Sequence, residues 1–72
     1  MANNVEITML LDLYGEALTA KQRDYLNHYY NDDLSLSEIA QNEGITRQGV
    51  RDAVKRAENQ LFDMQKKLYA IS

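Results

Sequence analysis

The fold of this 72-residue chain is decided by residues 35–61, SLSEIAQNEGITRQGVRDAVKRAENQL. The stretch opens with Ser35 and, three residues later, Glu38, which is the spacing of a capping box that satisfies two backbone N–H groups at a helix start. Gly44 comes where this short helix must end and the chain must reverse, because glycine adopts the left-handed conformation at the least cost. The order predicts a helix, a glycine turn and a second helix, which together form a helix-turn-helix.

The second helix of the motif is predicted to begin after Thr46, whose hydroxyl can cap its first turn. Apolar residues then recur at steps of four and three, as in a heptad seam of three repeats. We expect the first half of the seam to pack on the helix-turn-helix core and the second half to exceed what so small a core needs. The seam comprises Val50, Val54, Ala57, Leu61, Met64, Leu68 and Ile71.

Two further helices are predicted before the motif. Gly15 ends the first of them, and Thr19 with Gln22 has the spacing of another capping box at the start of the second. The chain is therefore expected to be all-α and to form a single domain over residues 1–72. The four predicted helices lie near residues 5–14, 20–30, 36–42 and 47–70.

Four tyrosines in the first half of the chain allow two interpretations. They could stack on nucleic-acid bases, or they could lie in the core with their hydroxyl groups at its rim. Tyr25 and Tyr29 are four residues apart beside Leu26, which favours the core. His28 and the adjacent carboxylates Asp32 and Asp33 are interpreted as solvated surface rather than as a catalytic group. The tyrosines are Tyr14, Tyr25, Tyr29 and Tyr30.

Charge is unevenly distributed along the chain. The net charge of −3 and the pI near 4.9 disfavour strong sequence-independent binding to a polyanion. Basic residues are nevertheless concentrated on the last helix, whose early outward-facing side chains are able to read bases and neutralise phosphates. A solvated charged face would carry the same residues. The predicted nucleic-acid interface comprises Thr46, Arg47, Gln48, Arg51, Asp52 and Lys55.

The first helix carries two apolar stripes, whereas a surface helix ordinarily carries one. One stripe suits the core, and the other needs cover from the C-terminal helix of the same chain or from another subunit. Because contiguous exposed apolar patches are uncommon on monomers, a homodimer is expected. The predicted dimer interface comprises Val5, Met9, Leu13, Met64 and Leu68.

Several classes of function lack support in the sequence. There is no Cys, one His, no nucleophile with an adjacent base and no glycine-rich phosphate loop. We therefore expect no enzyme activity, no catalytic residue, no metal and no cofactor. The absence of a signal segment and of a long apolar run is consistent with a cytoplasmic protein that does not bind membranes.

The motif and its flanks resemble two known families. The run from Ser35 to Ala40, the glycine turn and the run from Thr46 to Arg51 are similar to region 4 of bacterial sigma factors. Over most of its length the chain resembles the YlxM family, small bacterial helix-turn-helix proteins associated with the signal recognition particle. Members of that family run on for several more helical turns after the equivalent of Ser72. The runs that carry the resemblance are Leu-Tyr-Gly, Leu-Thr-x-Lys-Gln-Arg and Tyr-Tyr-x-Asp-Asp-Leu-Ser-Leu.

These resemblances imply an all-α helix-turn-helix bundle of three to four helices, winged-helix-like or sigma region 4-like, with a long C-terminal helix. The sigma factor resemblance implies DNA contact by five of the six predicted interface residues, all except Lys55. The YlxM resemblance implies an association with the signal recognition particle through its RNA, its GTPase or the DNA of its genes. Two functions stay open: a nucleic-acid-binding regulator, and a non-catalytic protein-interaction module that uses the helix-turn-helix as a scaffold.

Overall fold

Within residues 4–71 the fold contains four α-helices and, after the first of them, a short 3₁₀-helix, Gly15–Ala17. A computed structural model describes the backbone of residues 4–71 and the side chains of residues 4–67. No strand occurs within residues 4–71, and all four predicted helices are present, so the predicted all-α helix-turn-helix fold is confirmed. No helix in this range is both long and apolar enough to span a bilayer. The helices are α1 (Asn4–Tyr14), α2 (Ala20–Leu26), α3 (Leu36–Glu43) and α4 (Arg47–Ile71).

Both predicted capping boxes are present. The Thr19 hydroxyl accepts a hydrogen bond from the Gln22 backbone N–H, and the Gln22 side chain accepts one from the Thr19 N–H, each at 3.1 Å. Ser35 and Glu38 form the same reciprocal pair, also at 3.1 Å. These local bonds determine where α2 and α3 begin, because they satisfy N–H groups that have no partner inside the helix.

The second helix differs from its prediction. It was expected to be one α-helix over residues 20–30, but α2 ends at Leu26 and continues as a π-helix, Asn27–Asn31. On an α-helix, Tyr25 and Tyr30 would lie about 140° apart, because they are five residues apart. The wider π turn brings residues at this spacing toward one face. Both side chains are accordingly buried in the core, so their core interpretation is correct.

The chain reverses after the π-helix through exposed acidic residues. Asp33 adopts a left-handed conformation with φ 56°, which aspartate tolerates better than most residues. On the surface, His28 Nδ1 lies 3.1 Å from Asp32 Oδ2, one helical turn away. His28 and the two aspartates therefore belong to the solvated surface.

The core lies along one face of α4, which packs against α1, α2 and α3. The first half of the predicted seam is fully buried there, and Ile7, Leu26 and Ile39 bring fully buried side chains from the other helical segments. Gly15, which follows α1, is buried against Leu11, whose Cδ1 would lie only 3.3 Å from an added Cβ. The buried seam residues are Val50, Val54, Ala57 and Leu61.

A buried carboxylate adjoins this apolar face. Glu58 is 4% exposed and accepts a hydrogen bond from the Tyr30 hydroxyl. Burial, followed by the nearby Glu58 carboxylate, raises the pKa of the Tyr30 hydroxyl above its ordinary value. The heptad pattern of α4 does not predict this pair, because Tyr30, the partner of Glu58, lies on another helix. The available signal is that Glu58 is four residues after Val54 and three before Leu61, on the edge of the buried face.

The substitution Tyr30→Phe is expected to destabilise the protein by about 1–3 kcal/mol, because it leaves the Glu58 carboxylate buried without its donor. Urea denaturation measures this loss. The variant Glu58→Gln, which retains an acceptor for the Tyr30 hydroxyl, is the matched control and should lose less stability. A Tyr30→Phe protein as stable as the parent would contradict the assignment.

The same pair predicts a dependence of stability on alkaline pH. Because the pKa of Tyr30 is raised in the folded protein, the unfolded chain ionises first as the pH passes about 10. This contribution to stability is therefore complete below that pH and is lost as the pH rises toward the folded-state value. Denaturation between neutral and alkaline pH should show a shallower loss for Tyr30→Phe than for the parent. If the stability of the two proteins fell with pH along parallel curves, the pKa of Tyr30 would be the same in the folded and the unfolded state.

Candidate nucleic-acid interface

The candidate interface is built on the turn between α3 and α4. Gly44 ends α3 with φ 70° and ψ 27°, as predicted, and the Ile45 N–H donates to the Ala40 carbonyl at 3.1 Å. This bond closes the last turn of α3 and reverses the chain within two residues. Nothing lies within 4 Å of the position that a Cβ on Gly44 would take. Glycine is therefore required here by backbone conformation and not by lack of space.

Thr46 caps the first turn of α4, as predicted. Its Oγ1 accepts a hydrogen bond from the Gly49 N–H at 3.0 Å. A Cβ on Gly49 would lie 3.2 Å from this oxygen and 3.5 Å from Ile45 Cδ1, so the small residue lets both side chains lie close to the helix. The cap consequently determines where α4 begins, and the helical periodicity then determines the side of α4 from which each following residue projects.

All six residues of the predicted nucleic-acid interface are exposed. Exposure is what contact with a nucleic acid requires, although a solvated charged face has it too. The six residues are Thr46, Arg47, Gln48, Arg51, Asp52 and Lys55.

Three of these residues form what we call the basic row: Arg47, Arg51 and Lys55. Successive members are four residues apart and therefore lie on neighbouring turns of one side of α4. The row extends about 12 Å along the helix axis. It places three positive charges in a line at the exposed start of the second helix of the motif.

A recess of about 320 Å³ lies between the starts of the two motif helices. Arg47, Gln48 and Arg51 line it from α4, and Leu36 lines it from the first turn of α3. The positive ends of both helix dipoles add to the charge of the two guanidinium groups here. Leu36 is the residue of this site that the sequence pattern did not single out, and its place directly after the Ser35 cap is the available signal.

Two polar members of the interface are bonded to each other. Gln48 Nε2 donates a hydrogen bond to Asp52 Oδ1 at 3.0 Å. The Asp52 carboxylate lies beside the basic row, and this bond occupies part of its accepting capacity. Contact of either side chain with a base therefore requires the pair to open or to act as a unit.

The residues of the predicted dimer interface lie elsewhere. On α1, Val5 is 74%, Met9 51% and Leu13 65% exposed. The part of α4 whose side chains are described, up to Lys67, therefore leaves this stripe exposed. Met64 is half-buried on α4, and the side chain of Leu68 lies outside the described residues.

Comparison with known sequences gives a family match. The sequence profile of the family UPF0122, described as "Putative helix-turn-helix protein, YlxM / p13 like", matches residues 1–72. The chain is 48% identical over 68 residues to a UPF0122 protein of Clostridium botulinum (strain Alaska E43 / Type E3), covering 94% of this chain and 62% of that relative.

Relatives in two other organisms are of similar identity. A UPF0122 protein of Desulforamulus reducens is 45% identical over 67 residues, covering 93% of this chain and 57% of the relative. A UPF0122 protein of Fusobacterium nucleatum subsp. nucleatum is 45% identical over 64 residues, covering 89% of this chain and 62% of the relative. The chain thus spans about three fifths of the length of the curated relatives it matches.

The conformation of the turn predicts the effect of replacing its glycine. Gly44→Ala should destabilise the protein by about 1–2 kcal/mol, because an alanine is strained at this φ although it has room. Gly44→Asn is the control, since asparagine tolerates the left-handed conformation and should lose less. Both are measured by urea denaturation, and equal stability of the alanine and asparagine variants would be evidence against a conformational requirement.

Proposed function

Because the chain belongs to the family UPF0122, we propose that it is a regulatory protein that binds duplex DNA through the first turns of α4. The observation that carries this proposal is the basic row at the exposed start of the second motif helix. In helix-turn-helix proteins this part of the second helix enters the major groove. The family description names a helix-turn-helix protein and no enzyme, which supports a binding role over a catalytic one.

The dimensions of an α-helix favour duplex DNA over duplex RNA. An α-helix with its side chains is about 10–12 Å in diameter, and the major groove of B-form DNA is about 12 Å wide and admits it. The major groove of A-form RNA is deep and narrow, so side chains on a helix do not reach its base edges. An exposed helix start of this kind is therefore better suited to DNA.

Arg51 is proposed as the residue that reads a base. It lies in the middle of the basic row, and its planar guanidinium can donate two parallel hydrogen bonds to guanine O6 and N7. Arg47 and Lys55 flank it one turn away on either side and are proposed to neutralise phosphates. The Thr46 oxygen already caps α4, but its hydroxyl hydrogen is free to donate to a phosphate.

The remaining polar pair is proposed to add sequence preference. The Gln48 amide is suited to adenine N6 and N7, and the Asp52 carboxylate accepts from cytosine N4. The net charge of −3 keeps sequence-independent affinity low, because the phosphate backbone repels the rest of the molecule. We therefore expect the protein to depend on base contacts for useful affinity.

The YlxM resemblance implies an association with the signal recognition particle. We propose the DNA of the particle's genes as the first natural duplex to test, with the particle's RNA as the comparison ligand. A sequence-specific regulator should prefer one duplex over the RNA and over scrambled DNA at equal salt concentration.

A second candidate function is a non-catalytic protein-interaction module. The exposed apolar side chains of α1 favour it, because they lie outside the set of residues proposed to contact DNA and offer an apolar surface to a partner protein. This function predicts that removing the basic row leaves the biological activity unchanged. The two candidates are thus separated by the same variants of α4.

Removal of the Arg51 side chain is expected to weaken binding by about 1–3 kcal/mol and to relax specificity at one base pair. Lys55→Ala should instead weaken all duplexes alike and make the slope of log affinity against log salt shallower by about one. The ligand is a duplex selected by the parent protein from a random-sequence pool, and binding is measured by fluorescence anisotropy over a salt series.

Lys66→Ala is the matched control for charge. Lys66 is exposed on α4 like the residues of the basic row, but it lies about 16 Å along the helix axis beyond Lys55, outside the first turns of α4. Its loss removes one positive charge and should leave both specificity and salt slope nearly unchanged. If the parent selects no duplex, or if Arg51→Ala binds every duplex as the parent does, the interaction-module function replaces this proposal.

A further inference from the structure

The exposed side of α1 presents a stripe of large apolar side chains, Val5, Met9 and Leu13, one helical turn apart. Each of them is at least half exposed, although α1 buries three other side chains in the core. Contiguous apolar surface of this kind on a small protein usually marks a contact with another macromolecule. We call these three residues the α1 stripe.

A recess of about 300 Å³ lies near the other end of α4. Its lining comprises the half-buried Met64, the exposed Gln60, Asp63 and Lys67 of α4 and, from the segment after α1, Ala17. Ala17 ends the 3₁₀-helix that directly follows α1, so the chain passes from the α1 stripe to the edge of this recess within a few residues. A protruding apolar stripe and a recess with an apolar wall therefore adjoin on one molecule.

The charges around the two features are opposite in sign. The first 20 residues contain Glu6, Asp12 and Glu16 and no basic residue. The distal part of α4 presents two exposed lysines, Lys66 and Lys67, and one exposed acidic residue, Asp63. Lys67 and Asp63 both line the recess, so the distal part of α4 as a whole carries the net positive charge. Two copies of α1 laid against each other would bring carboxylates together, whereas α1 against distal α4 brings acidic and basic residues together.

We propose that the α1 stripe of one copy docks in the distal α4 recess of a second copy, and reciprocally, to form a two-fold symmetric dimer. A two-fold axis between the stripe and the recess fills both with one interface, because each subunit supplies both parts. The second copy is the partner that the charges fit, since this chain carries both the acidic residues around the α1 stripe and the net positive distal part of α4. The interface also adds apolar contact to a core that has no disulfide to stabilise it.

Disulfide trapping tests which surfaces meet. The chain has no cysteine, so each introduced one is unique. A Leu13→Cys protein is mixed with a mass-tagged Gln60→Cys protein and treated with a thiol oxidant. Both positions are exposed, so neither change should disturb the fold. A disulfide requires Cα atoms within about 7 Å, and the mixed disulfide should therefore form in large excess over the Leu13→Cys homodimer.

The Gln41→Cys protein is the matched control for this experiment. Gln41 is an exposed glutamine on α3, away from the recess. Mixed with Leu13→Cys protein, it should form only the background amount of mixed disulfide. The proposal is overturned if Gln60→Cys forms no more mixed disulfide than this control. It is equally overturned if the Leu13→Cys homodimer predominates, because that result places α1 against α1.

Sedimentation equilibrium gives an independent measurement. The parent should be a dimer at micromolar concentration, and Leu13→Asp should weaken dimerisation by about tenfold or more, because it places a charge in an apolar contact. Leu13→Met retains the apolar contact and should dimerise like the parent. Circular dichroism checks that both variants remain helical. A parent that is monomeric at about 100 µM would refute the dimer.

Discussion

The burial of one face of α4 is the constraint on which the rest of the structure depends. Val50, Val54, Ala57 and Leu61 are fully buried, and they contact a core to which every other helix contributes. With α1, α2 and α3 all packed on this face, the opposite side of α4 is left to solvent from its first turn onward. The same periodicity that closes the core therefore determines which side chains of α4 are available to a ligand.

The bond between Tyr30 and Glu58 adds orientation to this packing. Apolar contacts tolerate small rotations of a helix about its axis, whereas a buried carboxylate has to meet its donor. Because Tyr30 belongs to the π-helix and Glu58 to α4, the bond ties the rotation of α4 to the segment after α2. The direction in which the basic row points therefore depends in part on the π-helix that follows α2. Similarly, Lys21 pairs with Glu43 and connects α2 to the end of α3.

The features that were predictable from the sequence are those determined by neighbours in the chain. The capping boxes at Thr19 and Ser35, the left-handed Gly44 and the heptad seam all involve residues within a few positions of one another. The π-helix and the Glu58 partner were not predictable, because each depends on a helix distant in sequence. Of the candidate site, the position and exposure of α4 followed from the motif. Leu36 did not, since its role arises only when α3 packs beside α4.

The hydrogen bond between Gln48 and Asp52 has a consequence for how the proposed DNA complex would discriminate. In the free protein this bond compensates the carboxylate, which is exposed to solvent on the residue after Arg51. A duplex that separates the pair without supplying a donor leaves Asp52 uncompensated next to a polyanion, and the cost falls only on that duplex. Selectivity would then come from rejection: incorrect sequences are penalised by repulsion, while the correct one merely restores a hydrogen bond that the protein had already made.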